Sequence, residues 1–233
     1  MERNVESASG FEYELNEMRN GIVITGYCGS GGAVVIPAVI EGLPVEACRA
    51  SFKNKGITAI TFADSITKIV NPAPLQADPS MFDDKLEKAV LPKQLKSIPM
   101  RMFEGCSRLV DLQLPEELEI LGEGACCKTA IDSLTLPKSL KQLGRGGFYG
   151  CESLTQAPEI PNGVTYMTWC FYGCKKITAV TLKCNYVDGS FTAAFYDCDK
   201  LSAGSIKVPA GQVQTYQDNA GIMDAQENWF VAE

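Results

Sequence analysis

The sequence predicts a solenoid, in which copies of one coil stack along a single axis. Two observations carry this prediction. An anchor residue, Phe in six copies of seven, stands at positions 52, 82, 103, 126, 148, 171 and 195, at intervals of 30, 21, 23, 22, 23 and 24 residues. Behind each anchor the same apolar frame returns, closed in most copies by a proline. Self-similarity at a period of 20–50 residues is the signature of a stacked array. The composition allows it, because 45% of the 233 residues are hydrophobic and can fill a continuous core without crosslinks.

Residues 1–46 read as a β-rich N-terminal cap. Segments 11–46 supply two or three strands with glycine turns, suited to cover the first coil. The run Gly29-Ser30-Gly31-Gly32 lies before the apolar segment Ala33–Pro37, a strand and not a helix. A phosphate loop needs a helix to follow it, so a hairpin turn is expected here.

Residues 47–209 hold seven repeats of about 23 residues. The first runs from Phe52 through Ile57, Ile60, Phe62, Ile66 and Ile69. A Pro-rich insertion at 71–80 separates it from the second and accounts for the long first interval. The second runs through Leu86, Ala89, Leu91, Pro92, Leu95 and Ile98. The third is the clearest: Phe103-Glu104-Gly105-Cys106, then Leu109, Leu112, Leu114, Pro115, Leu118 and Leu121. The fourth centres on Cys126. The fifth, sixth and seventh open with Phe148-Tyr149-Gly150-Cys151, Phe171-Tyr172-Gly173-Cys174 and Phe195-Tyr196-Asp197-Cys198. Alternate apolar residues point inward from a short strand, and the following Pro ends ladder pairing. One coil cannot bury its own apolar edge, so coils stack and their strands align in parallel. Residues 210–233 read as a C-terminal cap, with a short helix in 211–220 that places Val213 and Tyr216 on one face.

The frame Ala/Gly-Phe-x-x-Cys-x-x-Leu-x-x-Ile-x-Leu-Pro-x-x-Leu-x-x-Ile resembles the BspA-like leucine-rich repeat. The likeness covers residues 47–209 through the repeats. It reaches both ends through Ile22–Tyr27, Val34–Pro37 and Val208–Tyr216. It implies a leucine-rich-repeat-like solenoid of stacked coils with short parallel strands, few helices and a short helical C-terminal cap. It also implies a bacterial surface or secreted binding protein, in a family of diverse functions. The chain departs from the frame in two coils. The fourth lacks the Phe and sets Lys128 where Cys is expected, and the fifth brings Glu159 near an inward position.

Composition narrows the function. There is no histidine, so Ser-His-Asp and Cys-His sites are excluded. No carboxylate pair stands in a recognisable cleft, so the chain reads as a non-enzyme. Ten cysteines admit disulfide, metal or packing readings. Cys106, Cys151, Cys174 and Cys198 share one repeat position, which favours a buried column of reduced thiols. No zinc spacing is present, and neither metal nor cofactor is expected. A net charge of −7 argues against nucleic acid and against docking on an anionic membrane. No segment is long and apolar enough to insert in a membrane, and the polar N-terminal residues do not read as a signal peptide. The expected partner is a protein or a glycan, with the oligomeric state left open.

Three surfaces are candidates for contact. Tyr149, Tyr172 and Tyr196 share one position, with Trp169 beside them. They form either a ring-packing ladder or an aromatic strip for a partner. The outward wall positions Thr61, Val90, Gln113, Thr135 and Thr181 are small and uncharged, suited to broad protein contact. The insertion at 71–80 is the third. Two charge columns, Lys93/Glu116/Lys138 and Lys96/Glu119/Lys141, are expected to knit neighbouring coils together. The leading reading is a binding module for protein or host-surface contact. A structural spacer in a larger surface protein and a glycan-binding accessory are the alternatives.

Overall fold

The computed structural model describes residues 10–72, 75 and 80–233. Most of the insertion at 71–80 lies outside the described residues. The chain opens with β1 (Phe11–Leu15) and β2 (Ile22–Tyr27), an antiparallel hairpin, and continues through β3 (Gly32–Val35), β4 (Val39–Ile40) and β5 (Leu43–Cys48). The coils follow as β6 (Ile57–Thr61), β7 (Lys68–Ile69), β8 (Lys88–Val90), β9 (Ser97–Ile98), β10 (Asp111–Gln113), β11 (Ile120–Leu121) and β12 (Gln142–Leu143). β13 (Val180–Thr181), β14 (Ile206–Val208), α1 (Val213–Asp218) and β15 (Phe230–Ala232) complete it.

These strands build two walls. The first is the parallel sheet β10-β8-β6-β3, resumed further on by β13-β14-β15. The second stacks β2, β5 and β7 in parallel and continues as β9-β11-β12. β3 pairs with β6 and not with β2. The Gly29–Gly32 run is therefore a corner that carries the chain from one wall to the other, and the hairpin expected there does not form. Glycine is required at the corner: Gly31 has φ of +87°, and an added Cβ would lie 2.1 Å from the Lys55 carbonyl oxygen.

The anchors form the third side. From the third coil on, each anchor is flanked by residues in the left-handed region two positions before and two after: Arg101 and Gly105, Gly124 and Lys128, Gly146 and Gly150, Trp169 and Gly173, Ala193 and Asp197. The chain turns twice at each of these anchors, and its N–H groups point at the next coil. Three such bonds link coil to coil, as in Gly146 N–H to Thr168 O (2.9 Å), Phe148 to Cys170 (3.0 Å) and Gly150 to Tyr172 (2.7 Å). Inside, the anchor rings stack: Phe52 on Phe82 at 5.2 Å, Phe148 on Phe171 at 5.8 Å and Phe171 on Phe195 at 6.2 Å, all within 8° of parallel.

The thiols lie under these rings. The Sγ atoms of Cys151, Cys174 and Cys198 donate to the carbonyls of Cys126, Phe148 and Phe171, the anchors of the preceding coils, at 3.0–3.1 Å. The fourth coil corrects the sequence reading. Thr129, not Lys128, takes the cysteine position; it is buried and donates its hydroxyl to the Cys126 carbonyl at 3.0 Å. Lys128 stands one residue earlier, in the left-handed turn, exposed. In the fifth coil the inward position belongs to Ile160, fully buried and bridged to Leu182, while Glu159 points to solvent. One extra residue between Leu154 and the proline shifts the frame there.

The C-terminal segment closes the array. β15 adds a parallel strand to β14. α1 carries the buried Tyr216, whose ring stacks on Phe230 at 5.5 Å and whose hydroxyl donates to Cys184 O at 3.0 Å.

Candidate functional site

The shared position after each anchor, one residue short of a left-handed turn, throws the tyrosines outward and in register. Tyr149 stacks on Tyr172 at 4.8 Å and Tyr172 on Tyr196 at 4.5 Å. The rings cover one another's faces, so Tyr149 and Tyr172 are half-buried while Tyr196 is 46% exposed. The result is a continuous ridge of ring edges and hydroxyls. Burial between its neighbours pushes the Tyr172 hydroxyl pKa up, and the two adjoining hydroxyls and Asp197 add to this. Lys175 pairs loosely with Asp197 at 3.8 Å beside the ridge.

Trp169 extends the ridge sideways. Its ring lies 6.2 Å from that of Tyr172 and is 37% exposed. The Arg145 guanidinium sits 3.6 Å from its centroid on one face. The backbone of Trp169 has φ of +57°, at the position where other coils place Arg101, Gly124, Gly146 and Ala193 in the same region. A side chain at that turn costs about 1–2 kcal/mol, which burial of most of the ring and the cation on its face offset. All four aromatic residues named from the sequence form one patch. Arg145 was not legible, because its pairing depends on which turns adjoin.

The wall candidates divide. Gln113 and Thr135 line a groove of about 1180 Å³ on the first wall, together with Leu134, Pro158, Lys183 and others. Thr181, on β13, lies outside that lining. Thr61 and Val90 sit on the intact sheet β6-β8. The groove marks a break in the ladder, since among the described residues the first wall has no strand between β10 and β13. Lys183 spans its far end, with Glu159 at 3.6 Å and the Glu233 side chain as partners.

The charge columns behave differently from each other. Glu119 sits between Lys141 (2.7 Å) and Lys96 (3.7 Å), as expected for a ladder, and the hydrogen bond from Lys141 holds its carboxyl below the usual range. Lys93 turns the other way and pairs with Asp64 of the preceding coil at 3.0 Å. Among the described residues Glu116 has no ion pair, so the first column is not the Lys-Glu-Lys ladder expected. Asp64 occupies the same repeat position one coil earlier and competes for Lys93.

Nine of the ten cysteines are buried and all are free thiols; Cys28 alone is exposed. Burial pushes the thiol pKa of Cys48, Cys106, Cys127 and Cys198 up to about 12. Such thiols are inert as nucleophiles. Among the described residues no group of three His, Cys, Asp or Glu side chains is placed to hold a metal ion. No helix among them is long and apolar enough to cross a membrane.

Comparison with known proteins accords with this geometry. The profile of the BspA type leucine rich repeat region matches residues 78–202 in six copies. The structure is similar to that of a leucine-rich-repeat protein of T. pallidum, with TM-score 0.71 and 26% identity, over 92% of this chain and 95% of that one. A leucine-rich-repeat protein from Bacteroides ovatus shares the fold at TM-score 0.64 and 22% identity, over 76% of this chain and 48% of that one. The curated proteins contain no match.

Proposed function

The chain belongs to the BspA-type leucine-rich-repeat family, and from that premise we propose that it is a non-enzymatic binding module that makes protein contacts at a bacterial surface. Leucine-rich-repeat proteins are generally interaction modules, and this family is often surface-associated. The observation that carries the proposal for this chain is the contiguous patch of Trp169, Tyr172, Tyr149 and Tyr196, exposed at Trp169 and Tyr196 and half-buried between. Tyrosine and tryptophan present large, rigid contact area with little conformational entropy to lose, and they dominate binding energy at interfaces.

The spacer reading has one observation in its favour, the stacking of the tyrosine faces on each other. Trp169→Gly separates the two. Glycine suits the left-handed turn, so melting temperature stays within a few degrees of wild type. Under the binding proposal, retention of partners from libraries of extracellular proteins and glycans falls at least tenfold. Unchanged retention would favour the spacer.

A further inference from the structure

We propose that the groove on the first wall is a docking site for an extended, largely uncharged polypeptide segment, held by main-chain hydrogen bonds to a stretch of backbone that the solenoid leaves unpaired. This site stands on its own geometry. It lies on a different side of the coil from the aromatic patch and does not depend on that patch binding anything.

The primary observation is a census of backbone donors. Elsewhere on the first wall each strand is laddered to its neighbours: β3 to β6, β6 to β8, β8 to β10, and β13 to β14 to β15. Between β10 and β13 the ladder is absent. Ser133, Leu134, Thr135 and Leu136 in one coil, and Gln156, Ala157 and Glu159 in the next, donate no backbone N–H to any described residue. Pairing resumes only at Ile160, whose N–H donates to Thr181 O at 2.9 Å. The cause is in the sequence. Pro158 stands in the middle of the fifth coil's strand segment and has no N–H to give. The fourth coil reaches its strand one residue early, with Ile131 five positions after its anchor where Leu109 is six after Phe103. The opposite side of these coils stays fully bonded, through Gly124, Cys126 and Lys128 to Arg145, Gly147 and Tyr149. The array holds together while one side of it stands open.

An open row of backbone donors and acceptors is a template for another strand. The lining specifies the guest. Its walls combine Leu134, Ala157 and Pro137 with the neutral hydrogen-bonding side chains of Gln113, Thr135 and Gln156. No aromatic residue lines the groove, so it lacks the stacking platform that a sugar ring or a base uses. Charges at the rim are of both signs, and Lys183 is already paired with Glu159 and Glu233. A polyanion finds no free cation cluster there. Peptide groups, with side chains alternating between the apolar wall and solvent, satisfy the whole lining.

Two measurements test this. Hydrogen exchange on the free protein reads the backbone directly: the amides of Leu134, Thr135 and Ala157 exchange fast, while those of Phe148 and Gly150 are protected. Protection of all of them in the free protein overturns the proposal. The second uses 12-residue linear peptides selected from a random display library against the full chain. Selected peptides are expected to bind Trp169→Gly as they bind wild type, and to lose binding at least tenfold to a folded Gln113→Lys/Thr135→Lys variant. Replacing each peptide N–H in turn by N-methyl is expected to weaken binding about tenfold at alternate positions only, the mark of strand pairing. No enrichment of groove-dependent peptides, or an N-methyl pattern without alternation, overturns it. Loss of binding on Trp169→Gly assigns the peptides to the aromatic patch and also overturns it.

Discussion

At the scale of single residues, the thiols illustrate how repetition converts reactive groups into core. Cys151, Cys174 and Cys198 donate their S–H to the anchor carbonyl of the coil before, Cys106 lies beside the Ser80 hydroxyl, and all four are buried. With Ellman's reagent one thiol, Cys28, is expected to react promptly and the other nine only after denaturation. Several fast thiols in the native protein would contradict the buried column. The pKa shifts add a sign. Folded thiols with values near 12 stay protonated while the unfolded chain ionises from about 9 upward. Their stabilising contribution is therefore complete below pH 9 and is lost as pH rises toward 12. Stability is expected to fall by up to about 1.4 kcal/mol per pH unit for each such thiol. A Cys106→Ala/Cys198→Ala variant should show a shallower decline in melting temperature between pH 9 and 10 than wild type. Equal slopes would mean that other groups carry the alkaline loss. The anchors and this column were legible in the sequence because both follow a fixed local spacing. Thr129 was misplaced because the fourth coil is a residue short.

At the scale of elements, the strands are two to six residues long and none is stable alone. Their stability comes from register with the next coil, by ladder, by ring stacking and by charge. Glu119 is the clearest electrostatic joint, with a lysine on either side. Glu119→Lys sets three like charges in one column. The melting temperature should drop at low ionic strength and recover in about 1 M salt, where the screening length is about 3 Å. A drop independent of salt would point to packing. Phe148, stacked on Phe171 in the core, tests the ring column: Phe148→Ala should cost about 3–5 kcal/mol in denaturant unfolding. A loss below about 1 kcal/mol would show that the coils tolerate its absence. The repeating elements could be read from sequence by periodicity. The opened ladder could not, because it is a relation between coils. Pro158 and the shortened fourth coil were its local signs, and neither says that both neighbouring edges stay unpaired.

At the scale of the whole molecule, the array is quasi-one-dimensional, and each coil buries its edge only against the next. Its ends must then be covered. β15 and the Tyr216–Phe230 stack cover the last coil, so removing residues 210–233 is expected to yield insoluble protein. A soluble, folded truncation would remove the capping role. Stacking also produces the working surface. A single tyrosine is unremarkable, but three in register make a rigid ridge that the next turn extends with Trp169 and Arg145. Fold and ridge residues were both visible in the sequence, whereas their exposure and contiguity depend on coil spacing and emerge only in three dimensions. The measurement that tests the central claim most directly is radical footprinting of the purified chain with and without a captured protein partner. Protection should concentrate on Trp169, Tyr172 and Tyr196, leaving Tyr13 and Tyr27 of the N-terminal hairpin unchanged. Equal modification of Trp169 and the tyrosines in the free and bound states would contradict it.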